Sequence, residues 1–405
     1  MTNTSKPIKK DSSAHVTHGN TLDPNQSGLR QGLPIYGDKD FSLFLRKAFI
    51  KGAGYTDSAL ERPVIGIANT GSSYNPCHGN MPQLLEAVKR GIMLAGGLPM
   101  EFPTISLHES FATPTSMYLR NLMSMDTEEM LRAQPMDAVV LIGGCDKTVP
   151  AQLMGAASAG LPAIQLITGS MLTGSHRSER VGACTDCRRY WAKYRAGEID
   201  EEQKNEVNNQ LVASVGTCSV MGTASTMACI AEALGMTVPG GASPPAVTAD
   251  RIRVAEETGR RAVQMAHDRL TIDQILTADA FENAMRVLLA IGGSTNGIVH
   301  LTAIAGRVGL EIDLISPSKN PFYKNQKTYD LSNFYFDMTD ISQQYLMNFT
   351  SPPLLFQEKL WGKNITIQIP ALSDLASQKT NNVPKENSIN ANLTNGGGLN
   401  ITSPV

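Results

Sequence analysis

The feature that most constrains the fold is an alternation of short apolar runs with segments of helical periodicity. The apolar runs and the residues that follow them are "RPVIGIANTGSSYNPCHGN" (62–80), "FPTISLHES" (102–110), "DAVVLIGGCDK" (137–147) and "PAIQLITG" (162–169). Strand–helix–strand alternation predicts a parallel sheet covered by helices on both faces. The sequence therefore predicts the α/β class, with a parallel sheet flanked by helices.

Reactive side chains follow the ends of the predicted strands. Cys77 lies in the loop after the first strand, Glu109 ends the second, and the third ends at the consecutive residues Cys145, Asp146 and Lys147. Ligands of open parallel sheets bind at the carboxyl ends of the strands. We therefore expect these side chains to meet at one edge of the sheet and to form the functional site.

Composition divides the chain into three parts. Residues 1–28 are polar and predict a disordered tail, with no apolar stretch for a secretory signal and no arginine for a transit peptide. Residues 29–313 carry the strand–helix alternation and predict the functional domain. Residues 314–405 are rich in asparagine, lysine and serine and predict a divergent, irregular tail.

The bulk composition narrows the class of protein. A chain of 405 residues with 41% hydrophobic residues and 35 glycines suits a compact α/β protein. A formal charge of −2 argues against a nucleic-acid binder, and no apolar run reaches the roughly 18–20 residues of a membrane helix. The six cysteines indicate reduced thiols. We expect a cytoplasmic protein, with a mitochondrial location left open.

Cys77, Cys145 and Cys218 form a candidate set of sulfur ligands. They are far apart in sequence, so they form no local zinc finger, and each lies on a loop beside glycine, proline or asparagine. Three thiolates on an iron–sulfur cluster would leave one iron without a protein ligand, and such an iron is a Lewis acid. The alternative is three unrelated buried thiols, a common fate of free cysteine.

Glu109, Asp146 and Lys147 form a candidate hard-cation site. Two carboxylates at neighbouring strand ends suit Mg²⁺, which prefers oxygen ligands. Lys147 could pair with them, or act as a base if burial lowered its pKa. The alternative is an ordinary Asp–Lys surface pair. The neighbouring Cys145 favours a site in which a soft and a hard metal flank one substrate.

The remaining candidates carry weaker signals. The Cys-x-x-Cys of Cys184 and Cys187 has no second pair for zinc, and we interpret it as structural, with a thiol-based redox protein as the alternative. Cys229 is expected in the core. His78 and His108 could touch a substrate, but a histidine that caps a loop is the commoner outcome.

The sequence resembles the dihydroxy-acid and 6-phosphogluconate dehydratase family over residues 29–313. The resemblance rests on "RPVIGIANTGSSYNPCH", "VVLIGGCDKTVPAQL", "GTCSVMGTASTMACIAEALG" and "AIGGSTNGIVHLTAIAGRVG". It implies that Cys77, Cys145 and Cys218 hold a [2Fe–2S] cluster, with [4Fe–4S] as the alternative. It also implies that Glu109, Asp146 and a carbamylated, catalytic Lys147 bind Mg²⁺.

The resemblance further implies a hydro-lyase that converts a 2,3-dihydroxy acid into a 2-keto-3-deoxy acid. Branched-chain members are similar but carry "SDG" where this chain has "HES" (108–110). This difference favours a sugar acid such as a pentonate, ahead of dihydroxy-isovalerate and then 6-phosphogluconate. The implied partners are this small molecule and further copies of the chain, as a homodimer or homotetramer.

The region after residue 313 departs from the family pattern. Family members resemble one another in a second, β-rich domain that supplies another metal-binding glutamate and the serine base, and no residue here matches either role. We therefore expect a truncated or divergent member. The alternative function, from a different class, is a non-catalytic iron–sulfur protein.

Overall fold

The structure, a computed structural model, describes residues 22–23, 26–33 and 38–312, and then the backbone of four strands between residues 354 and 402. Most of the predicted tail 1–28 and most of the predicted tail 314–405 lie outside these residues. The domain boundaries drawn from the sequence stay predictions.

The described strands and helices alternate through the first half of the chain. The strands are β1 Val64–Asn69, β2 Leu98–Pro103, β3 Ala138–Gly143, β4 Ala163–Ile167, β5 Gly174–His176, β6 Glu179–Val181, β7 Leu354–Leu360, β8 Lys363–Ile369, β9 Asn390–Leu393 and β10 Leu399–Thr402. The α-helices are α1 Lys39–Lys51, α2 Asp57–Leu60, α3 Met81–Leu94, α4 Ser116–Ala133, α5 Thr148–Ala159, α6 Thr185–Arg195, α7 Glu201–Leu211, α8 Thr223–Ala233, α9 Ala249–Asp268, α10 Ile272–Ile275, α11 Ala278–Ala290 and α12 Asn296–Arg307.

The central sheet has the strand order β2-β1-β3-β4, and every pair in it is parallel. Helix α3 connects β1 to β2, α4 connects β2 to β3, and α5 connects β3 to β4. The α/β prediction is therefore confirmed. Strands β5 and β6 form an antiparallel hairpin, and β7, β8, β10 and β9 form a separate mixed sheet.

Apolar side chains cover both faces of the central sheet. Successive side chains of a strand point to opposite faces, so Val139 and Leu141 of β3 join one core cluster while Val140 and Ile142 join the other. Helices α4, α5, α8, α11 and α12 pack on the first face, and α3 and α9 pack on the second. Because both faces are buried, the strand ends are where the sheet can meet a ligand.

The second strand ends earlier than the sequence predicts. The run 102–110 was expected to be a strand ending at Glu109, but β2 ends at Pro103. The backbone N–H of Ile105 donates to a carboxylate oxygen of Asp126 in α4, at 2.8 Å, rather than to the sheet. Glu109 instead begins a short 3₁₀-helix, Glu109–Phe111, in the loop that follows β2.

None of the helices among the described residues is both long enough and apolar enough to cross a membrane.

Candidate active site

The loops that follow β1, β2 and β3 meet at the carboxyl edge of the central sheet. They bring together Cys77, Glu109 and the run Cys145, Asp146, Lys147, as the sequence predicts for parallel neighbours. We call Cys77, Cys145 and Cys218 the sulfur side of this edge, and Glu109, Asp146 and Lys147 the carboxylate side.

A buried histidine fixes the loop that carries Cys145. The Nδ1 of His78 lies 2.8 Å from the carbonyl oxygen of Thr70, and its Nε2 accepts the backbone N–H groups of Gly144 at 3.0 Å and Cys145 at 3.1 Å. Burial lowers the pKa of His78 to about 4. A neutral imidazole with its proton on Nδ1 satisfies all three contacts. His78 is therefore a positioning residue, as the loop-cap alternative predicts.

Close packing joins the same loop to the end of β4. The Thr168 hydroxyl donates to the carbonyl oxygen of Cys77 at 2.8 Å, and a Cβ on Gly144 would lie 1.8 Å from that hydroxyl oxygen. Only glycine fits at residue 144. The backbones of Cys77 and Cys145 are therefore held at a fixed separation.

The Cys77 and Cys145 thiols are hydrogen-bonded to each other, and their sulfurs and a ring nitrogen of His108 all lie within 4.8 Å of one another. The hydrogen bond from Cys145 lowers the pKa of Cys77 to about 6, although burial opposes this. The same bond and burial raise the pKa of Cys145 well above its usual value. The pair therefore favours a thiolate at Cys77 and a protonated thiol at Cys145, and thiolates are the ligands of iron–sulfur clusters.

His108 is the member of this group that the sequence undervalues. Its Nδ1 accepts the backbone N–H of Ser110 at 3.2 Å, which caps the 3₁₀-helix as expected. The ring also hydrogen-bonds the Cys77 sulfur, and this bond raises the pKa of His108 against the effect of burial. The sequence signal that could have identified His108 as a site residue is its position next to Glu109.

Cys218 reaches the site from the loop before α8. The backbone N–H of Gly216 donates to the Pro76 carbonyl at 3.1 Å, and that of Thr217 donates to the Gly169 carbonyl at 2.9 Å. Cys218 is half-buried and interacts electrostatically with Cys77. It is not a member of the group within 4.8 Å. Its thiol donates a hydrogen bond to Cys184, which raises the pKa of Cys218.

The carboxylate side is centred on a buried amine. The Nζ of Lys147 lies 2.6 Å from Asp146 Oδ2 and 3.6 Å from Glu109 Oε2, and the Lys147 side chain is 4% exposed. The alternative of an ordinary surface pair is therefore wrong. Burial would raise the pKa of Glu109, but hydrogen bonds from Ser116 and Thr115 and the Lys147 charge lower it. Glu109 therefore presents an ionised carboxylate to the site.

The remaining three cysteines lie away from this edge of the sheet or at its margin. Cys184 and Cys187 are exposed, and Cys229 of α8 is half-buried rather than fully in the core. Cys184 contacts Cys218, so the two cysteines of the Cys-x-x-Cys differ in their surroundings.

The donor chemistry fits two kinds of metal group. Paired buried thiols beside a loop that admits only glycine suit a cluster whose sulfides need close backbone approach. Two carboxylates that converge on one point suit a hard cation. The two sides meet where Cys145 of the sulfur side is followed in sequence by Asp146 of the carboxylate side. Asp146 Oδ1 lies 3.5 Å from the Cys145 sulfur.

A parallel sheet that presents thiols and carboxylates at its strand ends defines an α/β protein with a candidate metal centre. Comparison with known proteins narrows this class, because residues 62–319 match the family model described as dihydroxy-acid/6-phosphogluconate dehydratase N-terminal. The chain belongs to this dehydratase family, which confirms the resemblance stated above.

Three curated relatives illustrate the match. An L-arabinonate dehydratase of Rhizobium leguminosarum bv. trifolii is 47% identical over 280 residues, covering 69% of this chain and 48% of the relative. A D-xylonate dehydratase of Caulobacter vibrioides is 43% identical over 271 residues, covering 67% and 46%. A dihydroxy-acid dehydratase of Moorella thermoacetica is 39% identical over 273 residues, covering 66% and 49%. The chain spans about half the length of the curated relatives it matches.

Proposed function

We propose that this chain carries the iron–sulfur and magnesium half of a hydro-lyase that removes water from a 2,3-dihydroxy acid. One observation carries the proposal: buried, hydrogen-bonded thiols lie beside a lysine-bridged pair of carboxylates in the loops that follow adjacent parallel strands. Soft and hard donors on one edge can hold two metal groups around one substrate. Membership of a dehydratase family supports the reaction class.

The sulfur side would hold the cluster through Cys77, Cys145 and Cys218, as [2Fe–2S] or [4Fe–4S]. A bound cluster with one iron free of protein ligands supplies a Lewis acid for a departing hydroxyl group. His78 keeps the backbone of Cys145 in place. The Cys77–Cys145 hydrogen bond already favours thiolate at Cys77, so ligation displaces fewer protons there.

The carboxylate side would hold Mg²⁺ through Glu109, Asp146 and Lys147. The Lys147 amine lies between the two carboxylates, and its carbamylation by carbon dioxide would replace a cation with a third anionic oxygen ligand for the magnesium ion. Ser116 and Thr115 orient Glu109 by hydrogen bonds. Bound Mg²⁺ would orient the carboxylate and 2-hydroxyl of the acid.

The substrate we propose is a sugar acid such as a pentonate. Relatives named for L-arabinonate and D-xylonate are 47% and 43% identical, against 39% for the dihydroxy-acid dehydratase described above. Dihydroxy-isovalerate is the second candidate.

The test is anaerobic purification of the full chain, quantitation of iron and acid-labile sulfide, and a keto-acid trap with D-xylonate, L-arabinonate and dihydroxy-isovalerate. We expect bound iron and sulfide, and keto-acid product from a sugar acid. Bound cluster without product from any acid would instead support a non-catalytic iron–sulfur protein. A colourless chain that takes up no iron after reconstitution would contradict the whole proposal.

Location and assembly remain predictions. We propose a cytoplasmic protein that forms homodimers or homotetramers. The relatives compared above come from bacteria, and they lend no support to a mitochondrial location.

A further inference from the structure

A fourth thiol lies against the sulfur side. Cys184 is exposed, stands directly before α6, and accepts a hydrogen bond from the Cys218 thiol. Cys184 also interacts electrostatically with His108. The sulfur of Cys184 is therefore a neighbour of a proposed cluster ligand.

The backbone at Cys184 has a strained conformation at the point of this contact. Cys184 has φ 74° and ψ −72°, and the N–H of Thr185 donates to the carbonyl of Ala183 at 3.1 Å. These values define a γ-turn with positive φ, which is rare for a residue with a side chain. Strain of this kind persists only where surrounding contacts impose it, and it concentrates at functional sites.

Two contacts hold the residues that flank the turn. The Asp186 carboxylate accepts the N–H of Gly182 at 2.8 Å, which closes the loop on itself. A Cβ on Gly182 would lie 2.4 Å from the Ser219 hydroxyl oxygen, so the loop packs directly on the residue after Cys218. The backbone segments that carry the two thiols are therefore packed directly against each other.

We propose that Cys184 and Cys218 form a reversible disulfide when the metal-free site meets a peroxide. The inference rests on the proposed function in one respect: Cys218 is available for this reaction only when it holds no cluster. The disulfide would keep Cys218 from irreversible oxidation and so preserve the site for a new cluster.

The chemistry balances with hydrogen peroxide as the oxidant. One thiolate attacks a peroxide oxygen and becomes a sulfenic acid, releasing hydroxide, which takes up a proton to form water. The second thiol then attacks the sulfenic sulfur, forms the S–S bond and releases a second water. Two thiols are oxidised by two electrons and one hydrogen peroxide is reduced to two waters. A small thiol reverses the step by exchange.

The sequence allows the cross-link to be assigned. Trypsin leaves Cys184 and Cys187 together on residues 181–188, and Cys218 and Cys229 together on residues 205–251. A full-length background variant with Cys187→Ser and Cys229→Ser therefore makes any link between these two peptides specific to Cys184 and Cys218. In the wild-type chain, fragment-ion spectra assign the same link.

The experiment treats metal-free full-length protein with hydrogen peroxide, alkylates it, digests it and measures the peptides by mass spectrometry. We expect the 181–188 to 205–251 link in most molecules, and its loss with dithiothreitol. We expect Cys184→Ser to show several-fold more sulfinic acid at Cys218 and several-fold less iron regained after reduction and reconstitution. Cys187→Ser is the matched control and should behave like the wild type.

Two results would overturn the inference: Cys218 going to sulfinic acid while Cys184 is present, or a link from Cys184 to Cys187 instead. The cross-link in the wild-type chain decides this even if Cys184→Ser folds poorly. A chain that forms the link but never binds iron and sulfide contradicts the proposed function alone. A chain that loads iron but never forms the link contradicts this inference alone.

Discussion

The sulfur side and the carboxylate side occupy the same sheet edge but are built differently. The residues Cys77 and Cys145 are 2% and 3% exposed, whereas the side chains of Glu109 and Asp146 are 45% and 20% exposed. The sulfur side is fixed by hydrogen bonds that join the side chains of His78 and Thr168 to the backbones of Cys145 and Cys77. The carboxylate side is fixed by side-chain contacts around Lys147. The carboxylates are therefore the more exposed of the two groups, while Cys77 and Cys145 lie beneath the surface.

Each side has a buried histidine whose pKa is lowered by burial. His78 lies under the sulfur side and has all its ring contacts satisfied. His300 of α12 is fully buried, feels the charge of Lys147 and accepts a hydrogen bond from Arg120 at 2.9 Å, but its Nε2 has no hydrogen-bond partner among the described residues. The sulfur side is thus the better satisfied of the two.

The largest expected effect is on the sulfur side. Cys145→Ser removes a proposed cluster ligand, and we expect iron per chain to fall by at least tenfold, since loss of even an outer partner typically costs about 10- to 100-fold in metal affinity. Iron and sulfide quantitation after anaerobic reconstitution measures this. Cys229→Ser, in α8, is the matched control and should keep its iron. Equal iron in both variants would refute the cluster assignment.

His78→Leu tests whether backbone anchoring makes the sulfur side rigid. The substitution leaves the N–H groups of Gly144 and Cys145 without their acceptor, and we expect the free energy of unfolding to fall by about 3 kcal/mol, at 1–3 kcal/mol for each buried unsatisfied group. Urea unfolding of the metal-free chain gives the value. His267→Leu, at an exposed position of α9, is the control and should change stability by less than about 0.5 kcal/mol. A similar loss in both variants would mean that His78 anchors nothing.

The sequence predicts some features of these two sides and not others. The parallel sheet and the meeting of Cys77, Glu109 and Cys145 at one edge follow from strand–helix alternation, because carboxyl ends of parallel strands share an edge. The anchoring role of His78 does not follow, because its partners at residues 144 and 145 are contacts between distant loops. The predicted end of β2 was wrong for the same reason, because the N–H of Ile105 donates to Asp126 of α4 and not to the sheet.

Cys184 shows a second kind of limit. The Cys-x-x-Cys spacing suggests that Cys184 and Cys187 act together, and it gives no reason to pair either of them with Cys218. A positive φ at a cysteine has no local sequence signature, because such a conformation is imposed by packing. The pairing of Cys184 with Cys218 therefore becomes visible only in the folded chain.

Glu109→Gln sharpens the comparison from the carboxylate side. The variant keeps the shape of the side chain but removes the charge of a proposed Mg²⁺ ligand. We therefore expect normal iron content and a roughly 10- to 100-fold lower affinity for Mg²⁺. Calorimetric titration of the iron-loaded chain with Mg²⁺ measures this affinity. Glu86→Gln, on the exposed face of α3, is the control. If Glu109→Gln also lost its iron, the two sides would not be separable units.

The smallest expected effect is a pH dependence that His300 gives to the carboxylate side. Burial, and then the charges of Arg120 and Lys147, lower the pKa of His300 to about 3, against about 6.5 in an unfolded chain. Below pH 6.5 the unfolded chain therefore binds a proton that the folded chain refuses, and stability falls as the pH falls. Between pH 7 and pH 5.5 this costs the wild type about 1 kcal/mol, at about 1.4 kcal/mol per pKa unit.

His300→Gln lacks the titrating ring, so its free energy of unfolding should fall by about 1 kcal/mol less than that of the wild type over the same range. Urea unfolding of metal-free wild type and variant at both pH values gives the difference, and other titrating groups cancel because both chains share them. Arg120 and Lys147 are the charged groups that face this ring, and neither is changed. Parallel pH profiles would show that the folded chain does not hold His300 neutral.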